Sequence, residues 1–181
     1  MILGLDISTS ITGFAIVDKS GKLLYTGHID TRKEKNIFDK ANKVRVSLLE
    51  LKNLYSIEFI FIEQPFTFFN SGGSSAKTMA VLQRFNGMVS WIVNEMFKIE
   101  PDYIEALKAR KLCSIKIARG QNTKKVVLEA VLDMEPTFEV EYTRHGNPKA
   151  GYCDRADGVV LAKAGSIICQ DIKNYKSWKK F

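Results

Sequence analysis

Residues 1–17, MILGLDISTSITGFAIV, decide the fold class of this chain. The apolar run from Met1 to Ser8 is typical of a strand that is buried on both faces, and Thr12 to Asp18 has the pattern of a following strand. The turn residues Lys19 to Lys22 then lead into a third strand, from Leu23 to Ile29. The chain is therefore predicted to begin with three antiparallel strands.

Helices and further strands are predicted after this start. Apolar residues at helical spacing predict a helix from Ile37 to Leu54, and the apolar run from Ile57 to Ile62 predicts a strand that ends at Glu63. The other predicted elements are a polar loop at Thr67 to Ser75, a strand at Asp102 to Glu105, and helices at Ala76 to Phe97, Ala106 to Leu112, Thr123 to Leu132 and Arg155 to Ile168. This order predicts an α/β fold, with a mixed central sheet flanked by helices.

The composition fits one intracellular domain. Of the 181 residues, 45% are hydrophobic and 26% are charged, so we expect one domain over residues 1–170 and a basic tail over residues 171–181. The three cysteines are odd in number and lack C-x-x-C spacing, which argues against a disulfide framework or a zinc site. The sequence shows neither the pattern of a signal peptide nor an apolar stretch of membrane-spanning length. We therefore expect a cytoplasmic protein with no membrane partner.

The net charge of +7 favours a polyanionic partner. Lysines and arginines cluster in the middle of the chain, and Lys111, Lys124 and Lys125 of these clusters are candidates for contacts with nucleic acid. For any single cluster, a solvated face is the alternative interpretation.

Four carboxylates lie at positions where burial of an ionised side chain is expected to be energetically unfavourable. Asp6 and Glu63 interrupt or end apolar runs, and Asp154 and Asp157 stand three residues apart at the start of an apolar helix. A buried carboxylate costs several kcal/mol unless a proton, a partner or a cation neutralises it, and a cluster of them suits a hard divalent cation such as Mg²⁺ or Mn²⁺. For Asp154 alone, a helix N-cap is the alternative.

The motifs around these acids resemble the RuvC family of Holliday junction resolvases, in the RNase H-like nuclease superfamily. The stretches that carry the resemblance are ILGLDISTSITGFAI at the start, IEQPF, NTKKVVLEAV and DRADGVVLA. The resemblance covers most of the chain and implies an RNase H-like fold. The segment of residues 137–151 departs from it, because it is longer than the corresponding family connection and leaves the role of His145 open. This divergence resembles phage-encoded members of the family.

The resemblance implies a function and a set of site residues. Asp6, Glu63, Asp154 and Asp157 match the catalytic acids, which would hold two Mg²⁺ ions per active site, with Mn²⁺ as a substitute. Phe66 matches an aromatic residue on a DNA-contacting loop, and Lys124 matches a DNA-binding lysine. The implied protein is a cytoplasmic homodimer of the bacterial cell or phage host. It would make paired cuts in Holliday junctions and other branched DNA and leave 5′-phosphate and 3′-hydroxyl ends.

Two other classes remain open from the sequence. One is a non-catalytic protein that binds branched DNA on the same fold. The other is a fragment of an actin-like phosphotransferase, because GLDISTSITG also resembles the first phosphate loop of sugar kinases and ATPases. The phosphotransferases need a second domain and a second phosphate loop, for which this chain has no room. Titration with ATP and with a four-way junction, and a nicking assay with Mg²⁺, would separate the three classes.

Overall fold

The computed structural model describes residues 1–65 and 76–171. In chain order the strands are β1 (Ile2–Asp6), β2 (Ile11–Val17), β3 (Leu23–Asp30), β4 (Phe59–Glu63) and β5 (Asp102–Ile104). The helices are α1 (Ile37–Leu54), α2 (Ala76–Phe97), α3 (Ala106–Leu112), α4 (Thr123–Met134) and α5 (Tyr152–Gln170). Phe66, the predicted loop 67–75 and all but the first residue of the predicted basic tail lie outside the described residues.

The strands form one mixed sheet in the order β3-β2-β1-β4-β5. β2 is antiparallel to β1 and to β3, whereas β4 is parallel to β1 and to β5. The turn between β2 and β3 is closed by the Asp18 carboxylate, which accepts hydrogen bonds from the backbone N–H groups of Ser20 (2.8 Å) and Lys22 (3.0 Å). The predicted antiparallel start and the predicted α/β class with a mixed sheet are both confirmed.

Helices cover both faces of the sheet. Side chains alternate between the two faces along each strand, so each strand can pack against both layers of helices. Leu3, Leu5 and Ile62 point to the face covered by α1 and α2. Ile2 and Phe61 point to the face covered by α3, α4 and α5. β1 is thus buried on both faces, as predicted. Within residues 1–65 and 76–171, no helix is long and apolar enough to cross a membrane.

The start of α5 differs from the prediction. The helix begins at Tyr152, three residues before the predicted Arg155, and its N-cap is Gly151, with φ at 93°. Glycine adopts this left-handed conformation without a steric penalty, and the Arg155 N–H already donates to the Gly151 carbonyl at 2.8 Å. The N-cap interpretation of Asp154 is therefore wrong. Asp154 lies inside the first turn, where the helix dipole stabilises its negative charge.

Candidate active site: a cluster of buried carboxylates

Asp6 and Glu63 end two neighbouring parallel strands. Leu5 of β1 stands opposite Ile62 of β4, so the next residue on each strand, Asp6 and Glu63, reaches the same edge of the sheet. Ligand sites in open α/β sheets lie outside the carboxyl ends of the strands. The two acids are therefore placed where such a fold forms its sites.

The start of α5 brings Asp154 and Asp157 to the same edge. The helix packs mainly on β1 and β2, and Gly13 of β2, which is the partner of Asp6 in the β1–β2 ladder, lies directly beneath its first turn. A Cβ atom on Gly13 would stand 1.8 Å from the Asp154 carbonyl oxygen. Only glycine therefore allows the helix to lie this close to the strand that flanks Asp6.

Burial and mutual repulsion raise the pKa values of three of these acids. The pKa of Asp6 is well above its usual range because of burial and because Glu63, Asp157 and Asp154 are close. Burial, reinforced by Asp157, raises the pKa of Glu63 to about 7. Burial also raises the pKa of Asp157 to about 6, with a contribution from Asp154. The four predicted acids thus form one electrostatically coupled cluster, which we call the carboxylate cluster.

Lys124 touches the carboxylate cluster. Its Nζ donates to Asp154 Oδ1 at 3.4 Å. Burial lowers the pKa of Lys124, but attraction to Asp154 and Asp157 outweighs this effect and the pKa is raised. The neighbouring Lys125 is exposed instead, and its Nζ pairs with Glu129 at 3.8 Å. Of the two adjacent lysines predicted to bind DNA, the structure brings only Lys124 to the acids.

Arg110 on α3 is another cation near the acids. Its positive charge lowers the pKa values of Glu63 and Asp157, in opposition to burial. The Arg110 Nε is buried and has no hydrogen-bond partner among the described residues. Lys111, which the sequence nominated, is exposed on the same helix. The sequence showed only a basic cluster here, and the rotation of α3 decides which member faces the acids.

The side chains of the carboxylate cluster do not converge on a single point. Among residues 1–65 and 76–171, no group of three or more His, Cys, Asp or Glu side chains is arranged so that it could hold a metal ion. The donors are nevertheless all carboxylate oxygens, and their repulsion is relieved most effectively by a hard cation. The chemistry of the donor set fits a divalent cation, and Lys124 and Arg110 offset part of the negative charge of the cluster.

Partly buried polar contacts support the strands that carry the acids. Lys40 of α1 donates to the carbonyl oxygens of Thr9 (2.6 Å) and Thr31 (2.9 Å), which fixes the turn that follows Asp6. On α2, the buried Asn86 side chain donates to the Glu63 carbonyl oxygen at 3.5 Å. The ends of β1 and β4 are thereby tied to the helices behind them.

The two histidines lie on the β3 side of the site. His28 of β3 stands opposite Gly13. Burial, and then Arg155, lower the pKa of His28, whereas Asp30 and Asp154 oppose this shift. His145 is exposed before α5, and its Nε2 accepts a hydrogen bond from Arg144 Nε at 3.0 Å. A role of His145 in proton transfer stays a prediction.

Solved structures share this architecture. No family model matches the chain, and no curated protein matches it either. The structure of Thermus thermophilus RuvC in complex with a Holliday junction substrate is similar, with a TM-score of 0.68 and 14% identity over 93% of this chain and 94% of that one. The yeast mitochondrial Holliday junction resolvase Ydc2 is similar with a TM-score of 0.62 and 13% identity, over 99% of this chain and 82% of that one. The chain therefore has the RuvC-like variant of the RNase H-like fold, as its sequence motifs predicted.

Proposed function

We propose that this protein is a metal-dependent endonuclease that resolves Holliday junctions and other branched DNA. It would make paired cuts, each by hydrolysis of one phosphodiester bond, and leave 5′-phosphate and 3′-hydroxyl ends. The observation that carries the proposal is the carboxylate cluster, in which acids from β1, β4 and α5 meet at one edge of the sheet. The similarity to RuvC, whose solved structure holds a Holliday junction substrate, supports the choice of DNA as the substrate.

Divalent cations complete the proposed site. Asp6, Glu63, Asp154 and Asp157 would hold two Mg²⁺ ions, with Mn²⁺ as a substitute, and the ions would supply an activated water and stabilise the departing oxygen. Because no three of these side chains are arranged for an ion, binding would require them to turn toward a common point. Lys124 would then leave Asp154.

The cations of the chain itself would help the site to accept a phosphate. A phosphodiester that approaches four carboxylates is repelled, and this repulsion is strong in a partly buried site. Lys124 and Arg110 border the acids and offset part of their charge. Released from Asp154, Lys124 would be free to donate to a phosphate oxygen. Lys111, Lys125 and Phe66 remain predicted DNA contacts.

A nicking assay tests the proposal directly. Purified protein is incubated with a labelled four-way junction, a three-way junction, a flap and a linear duplex, in Mg²⁺, Mn²⁺ or EDTA. We expect paired cuts in the four-way junction with either ion, weaker cutting of the other branched forms and no cutting in EDTA. The Asp6→Asn variant is the matched control for contaminating nucleases. Equal cutting by the wild type and this variant would disprove the proposal.

A non-catalytic protein that binds branched DNA is the second candidate. One observation favours it: Asp154 is engaged by Lys124 at 3.4 Å, and no described group is arranged to hold a metal ion. This candidate predicts tight junction binding with no nicking in either ion. It also predicts that Mg²⁺ leaves the thermal stability unchanged, whereas the nuclease is stabilised by the ion it binds.

We also propose that the protein is a homodimer formed through α1 and α2. A cleft of about 510 Å³ lies between these helices, and its lining includes Phe38, Gly87, Met88 and Trp91. Phe38 is 68% exposed and Trp91 is 63% exposed, while a side chain at Gly87 would meet no atom within 4 Å. This face offers exposed aromatic residues and room for close approach, as subunit interfaces do.

Light scattering coupled to size exclusion tests the dimer. Trp91→Asp would bury a charge in the interface and should give a monomer. Leu54→Asp is the matched control, because Leu54 is 73% exposed on α1 but does not line the cleft. Equal masses for the two variants would place the interface elsewhere.

A further inference from the structure

Residues 141–149 form a short hairpin, the 141–149 hairpin, directly before α5. The Lys149 N–H donates to the Glu141 carbonyl (2.8 Å) and the Thr143 N–H to the Asn147 carbonyl (2.8 Å), with a bridge between Tyr142 and Pro148. The hairpin lies within residues 137–151, the segment that was expected from the sequence to depart from the family pattern. The proposed cleavage chemistry leaves it without a role.

Side chains lock the base of the hairpin to α5. The Glu141 carboxylate accepts hydrogen bonds from Lys149 Nζ (2.6 Å) and from the Tyr152 hydroxyl (2.8 Å). Tyr152 is buried, opens α5 and stands two residues before Asp154. The hairpin is therefore anchored next to an acid of the carboxylate cluster.

The hairpin stands on the β3 side of the carboxylate cluster. Gly151, which joins it to α5, packs on the His28 ring of β3, so a Cβ on Gly151 would stand 2.5 Å from that ring. β3 is one edge of the sheet, and β4, which carries Glu63, lies on the other side of β1. Glu63 thus lies on the flank of the cluster opposite to the hairpin.

The exposed side chains of the hairpin suit a nucleic acid. Tyr142 is 51% exposed, and Arg144, His145 and Asn147 are exposed as well. Arg144 uses its Nε to bond His145, which leaves its terminal amino groups for other acceptors. The negative charge of Glu141 is already paired at the base. The tip thus offers an aromatic ring, a guanidinium and amide donors, which bind phosphates, sugars and bases.

We propose that the 141–149 hairpin is a second DNA-contacting element, which holds the substrate backbone on the β3 side of the carboxylate cluster through Arg144 and Tyr142. The inference rests on the proposed nuclease function, because it takes the DNA strand at the acids as its starting point. It adds a contact on the β3 flank of the cluster, opposite to the flank on which Glu63 lies. An arginine fork suits a phosphate, and an aromatic ring packs on sugar or base.

Binding of Arg144→Gln to a four-way junction tests the charge contact. Affinities are measured in EDTA over a salt series, with Lys22→Gln as the matched control, because Lys22 is exposed in the turn between β2 and β3, at the other end of the sheet. We expect Arg144→Gln to raise Kd roughly five-fold and to reduce the salt slope by about 0.9, which corresponds to one lost phosphate contact. Lys22→Gln should change neither quantity.

Photocrosslinking tests the position of the DNA. A photoreactive benzoylphenylalanine replaces Tyr142 in one sample and Tyr25, which is 44% exposed and stacks on Tyr55, in the control. We expect a crosslink to junction DNA from position 142 and none from position 25. If wild type binds and cuts junctions but Arg144→Gln matches Lys22→Gln and position 142 gives no crosslink, the hairpin inference is overturned and the nuclease stands. If wild type neither binds nor cuts branched DNA, the proposed function itself is disproved, and the hairpin inference that rests on it is disproved with it.

Discussion

A Cβ atom on Gly13 would lie 1.8 Å from the carbonyl oxygen of Asp154, so the second strand and the last helix touch through backbone atoms. This contact sets the distance between the acids of α5 and Asp6, whose strand partner is Gly13. Gly13→Ala should therefore push the first turn of α5 away from the sheet. We expect a loss of about 1–3 kcal/mol in the free energy of unfolding, as for other overpacked cores, and loss of cleavage. Thermal unfolding and the nicking assay measure the two effects, and wild-type values for both would contradict the contact.

Each of the four acids should be needed for cleavage but not for binding. Asp6→Asn, Glu63→Gln, Asp154→Asn and Asp157→Asn each remove a ligand charge, so we expect cleavage in Mg²⁺ to fall by roughly 10²–10³-fold or more. Junction binding should stay the same or become tighter, because each change reduces repulsion of the phosphates. Cleavage rates and electrophoretic mobility shifts measure the two properties. Wild-type nicking by any one variant would remove that residue from the site.

Lys124 and Lys125 provide a matched pair for the DNA contact. Lys124 reaches Asp154, whereas Lys125 points to Glu129 on the exposed side of α4. We expect Lys124→Ala to weaken binding to every DNA form and to reduce the salt slope by about one unit. Lys125→Ala should have a smaller effect, although the sequence nominated both lysines. Filter binding across a salt series checks this, and equal effects would show that position on α4 does not matter.

The elements of the fold could be predicted because their signals are local. Apolar runs and helical spacing gave β1 to β5 and the five helices, and the isolated carboxylates at Asp6 and Glu63 were visible because they end apolar strands. The start of α5 could not be predicted in the same way, because Gly151 caps it through backbone conformation and has no side chain to recognise.

The surroundings of the acids depend on packing that the sequence does not show. Whether Arg110 or Lys111 faces Glu63 is decided by a rotation of α3 of about 100°. The 141–149 hairpin depends on the pairing of Glu141 with Lys149 and Tyr152 across a turn. The motifs indicated the four acids and Lys124, but neither the contact between Lys124 and Asp154 nor Arg110 nor the hairpin could be predicted from them.

The carboxylate cluster should make the metal-free protein less stable as the pH rises. Burial raises the pKa of Glu63 from 4.5 to about 7 and that of Asp157 from 3.8 to about 6. Between the unfolded and the folded pKa value of each acid, the folded protein binds more protons than the unfolded chain. The contribution of Glu63 and Asp157 to the free energy of unfolding is therefore complete below about pH 4 and is lost as the pH rises to about 7. Other carboxylates, such as Asp30, have lowered pKa values and act in the opposite direction.

The difference between wild type and Glu63→Gln isolates this effect. In EDTA, denaturant unfolding should show that the stability of Glu63→Gln relative to wild type increases from pH 4.5 to pH 7. Mg²⁺ should stabilise wild type more at pH 7 than at pH 5, because it binds the ionised acids. A relative stability that does not depend on pH would mean that Glu63 titrates normally in the folded protein.

Arg110 should control the charge of the acids, and Lys111 should not. The positive charge of Arg110 lowers the pKa values of Glu63 and Asp157, so Arg110→Gln should raise both, while Lys111→Gln removes the same charge from the exposed side of α3. Carbon-13 NMR titration of labelled carboxyl groups in EDTA reads the two pKa values directly and needs no activity. Arg110→Lys keeps the charge and should keep both values close to wild type. Because neighbouring opposite charges favour the ionised form of an acid, titration curves of Arg110→Gln that match those of wild type would mean that Arg110 does not reach the cluster in solution.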